Sequence, residues 1–134
     1  MNQLRGNIQG IESTENMSLV DVSVAGDIFC AVLLETPASV PYLKMGEEVT
    51  LLFKETEVSL GKNLSGLISL RNRFKSRIKR IEKGKILTKV TLDYRNQEIT
   101  SIITTRSFQH LGLKEKDDVE WLVKTNEITI LKEN

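Results

Sequence analysis

The chain has 134 residues, 40% of them hydrophobic and 28% charged, with a formal net charge of +1. That is the composition of a soluble globular protein, one ordinary domain or two very small ones, and no apolar run approaches the roughly 18 residues of a membrane span. The opening MNQLRGNIQGIESTEN has no apolar core of the kind a secretory signal carries, and the single cysteine, Cys30, has no partner for an internal disulfide, so a cytoplasmic setting is expected.

Sliding the sequence on itself by 70 positions aligns residues 2–62 with 72–132 without a gap. Identities include Asn2/Asn72, Ile8/Ile78, Val20/Val90, Leu43/Leu113, Val49/Val119, Lys54/Lys124 and Lys62/Lys132. Apolar positions such as Leu51/Trp121 and Val58/Ile128 coincide too, as do the acidic pairs Glu47/Asp117 and Glu48/Asp118. The chain therefore reads as a duplicated unit, with a first lobe over 1–62 and a second over 69–134.

In chain order, the first lobe opens on Asn2-Gln3-Leu4, continues through Phe29-Cys30-Ala31-Val32 and reaches Thr36-Pro37-Ala38-Ser39, a helix-start signal. The joint, Lys62-Asn63-Leu64-Ser65-Gly66-Leu67-Ile68, mixes Gly and Ser with three aliphatics, which favours packing on a lobe over free swinging. In the second lobe, alternation of apolar and polar residues predicts strands near 73–82, 86–94, 97–104, 118–124 and 127–131, and the first lobe repeats them. Between the third and fourth strands, Thr105 to Gly112 brackets one or two helical turns. The expected fold is all-β: two tandem five-stranded OB-like barrels, each with a short helix between the third and fourth strands.

Charge is uneven along the chain. Up to Gly66 there are 4 basic and 9 acidic residues, and beyond it 15 and 9, so the parts carry −5 and +6. Such asymmetry points to an anionic partner for the second part or to pairing of unlike parts.

Signals of catalysis are scarce. There is one histidine and one cysteine, and no HExxH, phosphate-loop lysine motif or GxSxG turn, so no enzyme is expected. His110 reads as a partly exposed residue at a helix end and Cys30 as a buried strand residue.

One cluster in the second lobe carries chemistry. Ser69-Leu70-Arg71-Asn72 precedes its first strand, Thr104-Thr105-Arg106-Ser107 opens its helix, and Lys124 closes its fourth strand. A tetrahedral dianion offers only acceptors, so its site needs hydroxyls, N–H groups and cations with no carboxylate pointing inward. Thr104 and Ser107 can aim hydroxyls and nearby amides at an anion on the helix start, with Arg71 and Lys124 balancing its charge. The same residues also have ordinary structural uses: Thr105 or Ser107 as a helix cap, Arg71 on a solvated strand face, Lys124 at a strand end.

These segments resemble the molybdate-binding Mop family, also called TOBE. Ser69-Leu70-Arg71-Asn72 is similar to its Ser-Ala-Arg-Asn opening, Ile102 to Ser107 to its Ile-x-Thr-x-x-Ser turn, and Leu111-Gly112-Leu113 and Leu122-Val123-Lys124-Thr125 match as well. The first lobe is similar to the divergent second lobe of the ligand-sensing half of the molybdate-responsive regulator, with lobe order reversed.

The resemblance implies binding of molybdate or tungstate as an oxyanion, without direct protein–metal ligands or an organic cofactor, for storage or buffering. The binding residues it implies are Ser69, Arg71, Thr104, Ser107 and Lys124. It also implies a homo-oligomer, a dimer first and a trimer of tandem lobes second, with Ser69 and Arg71 of one chain facing Thr104, Ser107 and Lys124 of another. In the first lobe Leu34 stands where Thr104 would, Pro37 where Ser107 would, and only Lys54 survives, so that lobe is expected to be largely structural. The regulator's repressor role is not expected to transfer, because no DNA-reading helix-turn-helix precedes the tandem.

The rival reading is an OB-type module for single-stranded nucleic acid, because Arg71, Arg73, Lys75, Arg77 and Lys79 alternate along one strand face. Against it, aromatic content is 5%, and Phe74, Tyr94, Phe108 and Trp121 do not form an evident stacking platform. A molybdopterin carrier is a minor third reading.

Overall fold

The computed structural model describes residues 1–132; positions 133–134, the expected end of the second lobe, lie outside the described residues. It contains ten strands and one α-helix: β1 Asn2–Ser13, β2 Ser18–Val24, β3 Asp27–Leu33, β4 Glu48–Phe53, β5 Ser59–Gly61, β6 Asn72–Lys83, β7 Leu87–Tyr94, β8 Gln97–Thr104, α1 Thr105–Leu111, β9 Asp118–Val123 and β10 Thr129–Lys132. They form two antiparallel five-stranded sheets, ordered β10-β4-β1-β2-β3 and β5-β9-β6-β7-β8, the all-β, OB-like arrangement expected.

The long first strand of each repeat explains how five strands curl. β1 pairs with β4 through residues 2–7 and with β2 from Asn7 onward, and its register slips by one residue between Ile8 and Gly10. β6 does the same between Ile78 and Arg80 as it passes from β9 to β7. An extra residue bends and twists a strand, so the bulge lets one strand serve two neighbours lying at different angles. The hairpins β2–β3 and β7–β8 turn on Ala25-Gly26 and Arg95-Asn96, all four at positive φ, the conformation that matches the twist of a two-residue hairpin.

The fifth strands are exchanged between the repeats. β5, from the first repeat, adds to β9, and β10, from the second, adds to β4. The compact units are therefore Met1–Phe53 with the segment from Lys124, and Lys54–Val123, which differ from the sequence repeats 1–62 and 69–134. In the second unit, the buried Ser101 hydroxyl donates to Val58 O at 2.7 Å and fixes the approach of β5 to β8.

Each unit fills its own core with different side chains at equivalent positions. The second stacks Phe74, Tyr94 and Trp121, with Trp121 edge-on to Tyr94 at 5.2 Å between ring centroids. The first has Leu4, Val24 and Leu51 at those repeat positions, and places its own aromatics, Phe29 and Phe53, where the second has Ile99 and Val123. All of these side chains are buried, so two cores of similar composition are reached by compensating choices.

The helix expected in both lobes forms only in the second. There Thr105 anchors the first turn, its hydroxyl donating to Gly84 O at 2.8 Å and lying 2.9 Å from Thr88 Oγ1, and Gly112 ends the helix in the left-handed region at φ 61°. The first lobe has Glu35 and Tyr42 at those positions, and Pro41 where Leu111 closes the helix. Pro41 lacks an N–H to continue a helix and disfavours helical conformation at the residue before it, and the segment stops at a turn over 37–39.

The joint is divided. Lys62 bonds Asp117 at 3.2 Å and Gly112 O at 3.3 Å, and Leu64 lies against Gly61, so closely that a Cβ there would sit 2.2 Å from its Cδ1. Leu67 and Ile68 are exposed rather than packed, contrary to the expectation for this segment.

Candidate functional site

The structure brings two of the five expected binding residues into direct contact. Thr104, last residue of β8, is the N-cap of α1: its Oγ1 accepts the Ser107 N–H at 3.1 Å and donates its own proton to Ser107 Oγ at 2.9 Å. The cap is thus Thr104, while Thr105 points inward and Ser107 is the hydroxyl that Thr104 serves. Both Thr104 and Ser107 are exposed. With the Ser107 N–H given to Thr104 Oγ1 and the Thr104 proton given to Ser107 Oγ, the Ser107 hydroxyl proton is the side-chain donor this pair has left for a ligand.

Ser69 and Arg71 are exposed and lie in the irregular segment leading into β6, within the same compact unit. Lys124 is exposed at the head of a single 3-10 turn, Thr125–Glu127, and belongs to the other compact unit. Its repeat counterpart Lys54 heads the turn Glu55–Glu57 and falls in the unit that holds Thr104 and Ser107. In both turns the third residue, Glu57 or Glu127, accepts the lysine's backbone N–H, at 3.2 and 3.4 Å. The exchange of fifth strands has therefore also exchanged the two lysines, which periodicity alone does not reveal.

A groove of about 310 Å³ in the second unit is lined by Ser59, Leu60, Ile103, Ser107, His110 and Leu111. It contains no carboxylate, which suits an anion. A larger concavity of about 580 Å³ is lined by Lys75 and Arg77 but also by Asp118 and Glu120, whose charges oppose an anion. No cluster of three or more His, Cys, Asp or Glu side chains suited to a metal ion occurs among the described residues.

The basic stripe is largely paired. Arg73 chelates Glu120 through Nε and Nη2, Arg77 reaches Asp118 at 3.4 Å, and Lys79 reaches Glu98 at 2.7 Å. Lys75 stands across from Glu120 in the β6–β9 register. The aromatic residues Phe74, Tyr94 and Trp121 are buried. Neither a free cationic track nor a stacking platform of the kind single-stranded nucleic acids use is present on this strand.

These pairs carry a pH consequence. The bond from Arg73 holds the Glu120 carboxyl below the usual range, and the bond from Lys79 does the same for Glu98. A carboxyl held low in the folded state contributes stability above its unfolded pKa, and that contribution is lost as pH falls through the folded value. Thermal melts should therefore weaken below about pH 4, the ordinary carboxylate range, and Glu120→Gln should flatten that fall. An unchanged acid slope in the variant would mean that Glu120 does not contribute to the loss of stability in acid.

The TOBE domain family profile matches residues 1–60 and 68–130. Molybdenum-pterin-binding protein 3 of Clostridium pasteurianum is 32% identical over 65 residues, covering 48% of this chain and 96% of that protein. Molybdenum-pterin-binding protein 1 of the same organism is 35% identical over 65 residues, with the same coverage. The crystal structure of the cytoplasmic molybdate-binding protein ModG, with molybdate bound, is 29% identical and superimposes with a TM-score of 0.92, over 98% of this chain and 96% of that one.

Proposed function

Because the chain belongs to the TOBE domain family, we propose that it binds molybdate or tungstate as an intact oxyanion, for storage or buffering in the cytoplasm, and performs no chemistry on it. The likeness to ModG extends over nearly the whole chain, which favours a two-lobed binding protein over an enzyme. The observation that carries the reading within this chain is the hydroxyl pair Thr104–Ser107, of which Ser107 lines a groove without carboxylates. Water-exposed oxyanion oxygens need donors, and the Ser107 hydroxyl is one already oriented by its neighbour.

In this reading Ser107 donates to the anion, Thr104 orients Ser107, and Ser69, Arg71 and Lys124 supply further donors and positive charge. The sites lie between protomers of a homo-oligomer, with Ser69 and Arg71 of one chain facing Thr104, Ser107 and Lys124 of its neighbour. A dimer is the first expectation and a trimer of tandem lobes the second. At the repeat positions of the hydroxyl pair the first lobe has Leu34 and Pro37; its own hydroxyls, Thr36 and Ser39, stand two residues further on and close a turn, Ser39 Oγ accepting the Thr36 N–H at 2.9 Å, so this lobe is structural.

Isothermal titration with molybdate, tungstate, sulfate and phosphate tests this, with mass from light scattering. Saturable binding of the first two is expected, and no binding of any oxyanion would end the reading. Losing one charge-assisted hydrogen bond is worth roughly 1.5–3 kcal/mol, so Lys124→Ala should weaken binding about tenfold to a hundredfold while Lys54→Ala should leave it nearly unchanged. The reverse order would assign the cation to Lys54, the lysine that strand exchange delivers to the second unit. Likeness to molybdenum-pterin-binding proteins of Clostridium favours one further ligand, a molybdenum-loaded pterin, which the same titration would reveal as a competitor of molybdate.

A further inference from the structure

Two features of the groove beside Ser107 were not part of the expected binding set. The first is His110, three residues after Ser107 on α1 and therefore on the same helix face. The second is Ser59, which the exchanged β5 brings from the first repeat onto the second unit. The polar lining is thus two hydroxyls and one imidazole, while Leu60, Ile103 and Leu111 form the apolar remainder. The three polar residues are exposed around the half-buried aliphatics, so their donors are open to a ligand from solvent.

The donors are available. Neither His110 nor Ser59 has a side-chain partner among the described residues, and the Ser107 hydroxyl, already accepting from Thr104, has its proton to give. An imidazole always carries at least one N–H, and it brings positive charge when protonated. The other ionisable side chain on this face of α1 is Arg106, four residues before His110 and exposed; Ile103 of β8 and Ser59 and Leu60 of β5 add no charge. Nothing lining the groove repels an anion.

The first lobe provides an internal comparison. At the repeat positions of Ser107 and His110 it has Pro37 and Val40, neither of which has a side-chain donor. The first lobe thus lacks both the imidazole and the hydroxyl at these positions.

Resting on the oxyanion reading above, we propose that His110 is a further ligand-binding residue of the second unit: its ring N–H and the Ser107 hydroxyl grip the same tetrahedral oxyanion, with Ser59 lending a third donor from the first repeat. The groove is then a composite site that neither repeat builds alone.

The chain has one histidine, so its ring resonances are unambiguous in a proton–nitrogen spectrum of the full protein. Molybdate should shift them saturably, with the midpoint found by calorimetry. His110→Glu, which sets a carboxylate against the anion, should weaken molybdate binding at least about tenfold, while His110→Gln, which keeps a donor, should stay within about fivefold of wild type. The residue is exposed, and unchanged melting temperatures would verify that both variants fold. If wild type binds molybdate but the ring resonances stay still, or His110→Glu binds as wild type does, the role of His110 is overturned while the oxyanion reading stands. If wild type binds no oxyanion, both fail.

Discussion

Trp121→Ala should destabilise the second unit by about 3–5 kcal/mol, the cost of deleting a fully buried aromatic and leaving a cavity. Trp121 is at 0% exposure, with Tyr94 and Phe74 each 5.2 Å away between ring centroids, so no solvent-side relaxation can refill the space. Small domains are stable by roughly 5–15 kcal/mol in all, so the loss consumes a large share. For a unit of this size the melting transition should fall by roughly 12–40 °C in a calorimetric scan. Oxyanion binding should fall with it, because β9 anchors both β5 and β6, and with them Ser59 and the approach to Arg71. A change under about 1 kcal/mol would mean that the aromatic trio is not the core of this unit.

The second large effect is on binding. Ser107→Ala removes the one hydroxyl donor that Thr104 orients, and should weaken molybdate binding about tenfold to a hundredfold with little change in stability. Thr104→Val separates the roles. It keeps the shape and β-branching that suit the end of β8, but removes both the acceptor for the Ser107 N–H and the proton given to Ser107 Oγ. Its stability cost should be about 1 kcal/mol, that of a lost N-cap, and its binding loss smaller than that of Ser107→Ala, since Ser107 itself remains. Titration of both variants against wild type reads the order. Thr104→Val losing more than Ser107→Ala would make Thr104 the direct ligand, as the family resemblance alone implies.

The strands and their faces were legible because alternation reports burial directly. The expected 97–104 is β8 as found, and 118–124 differs from β9 only at Lys124. What alternation does not encode is the partner. β5 and β10 are three and four residues long, and a strand that short carries no register information of its own; its partner is chosen by the rest of the chain. Hence the exchange, and with it the positions of Lys54, Lys124 and Ser59, could not be read from the repeat. The missing first helix had a visible cause in Pro41, masked by the helix-start signal at Thr36 five residues earlier.

One contact of the proposed site was legible because it is local. Thr104 and Ser107 are three apart across a strand-to-helix boundary, a local relation that sequence fixes, and the structure joins them. Ser69, Arg71 and Lys124 depend on chain path and assembly. His110 looked like an ordinary helix-end residue because its importance arises from a groove wall contributed by β5, 50 positions earlier.

The most direct test of oxyanion binding in the second unit is an anomalous difference map, at the molybdenum edge, from crystals grown with molybdate. Binding in the second unit predicts a peak within hydrogen-bond distance of Ser107 Oγ, with cationic side chains completing its shell. A peak at the Pro37 turn of the first lobe, or no peak at saturating molybdate, would contradict it.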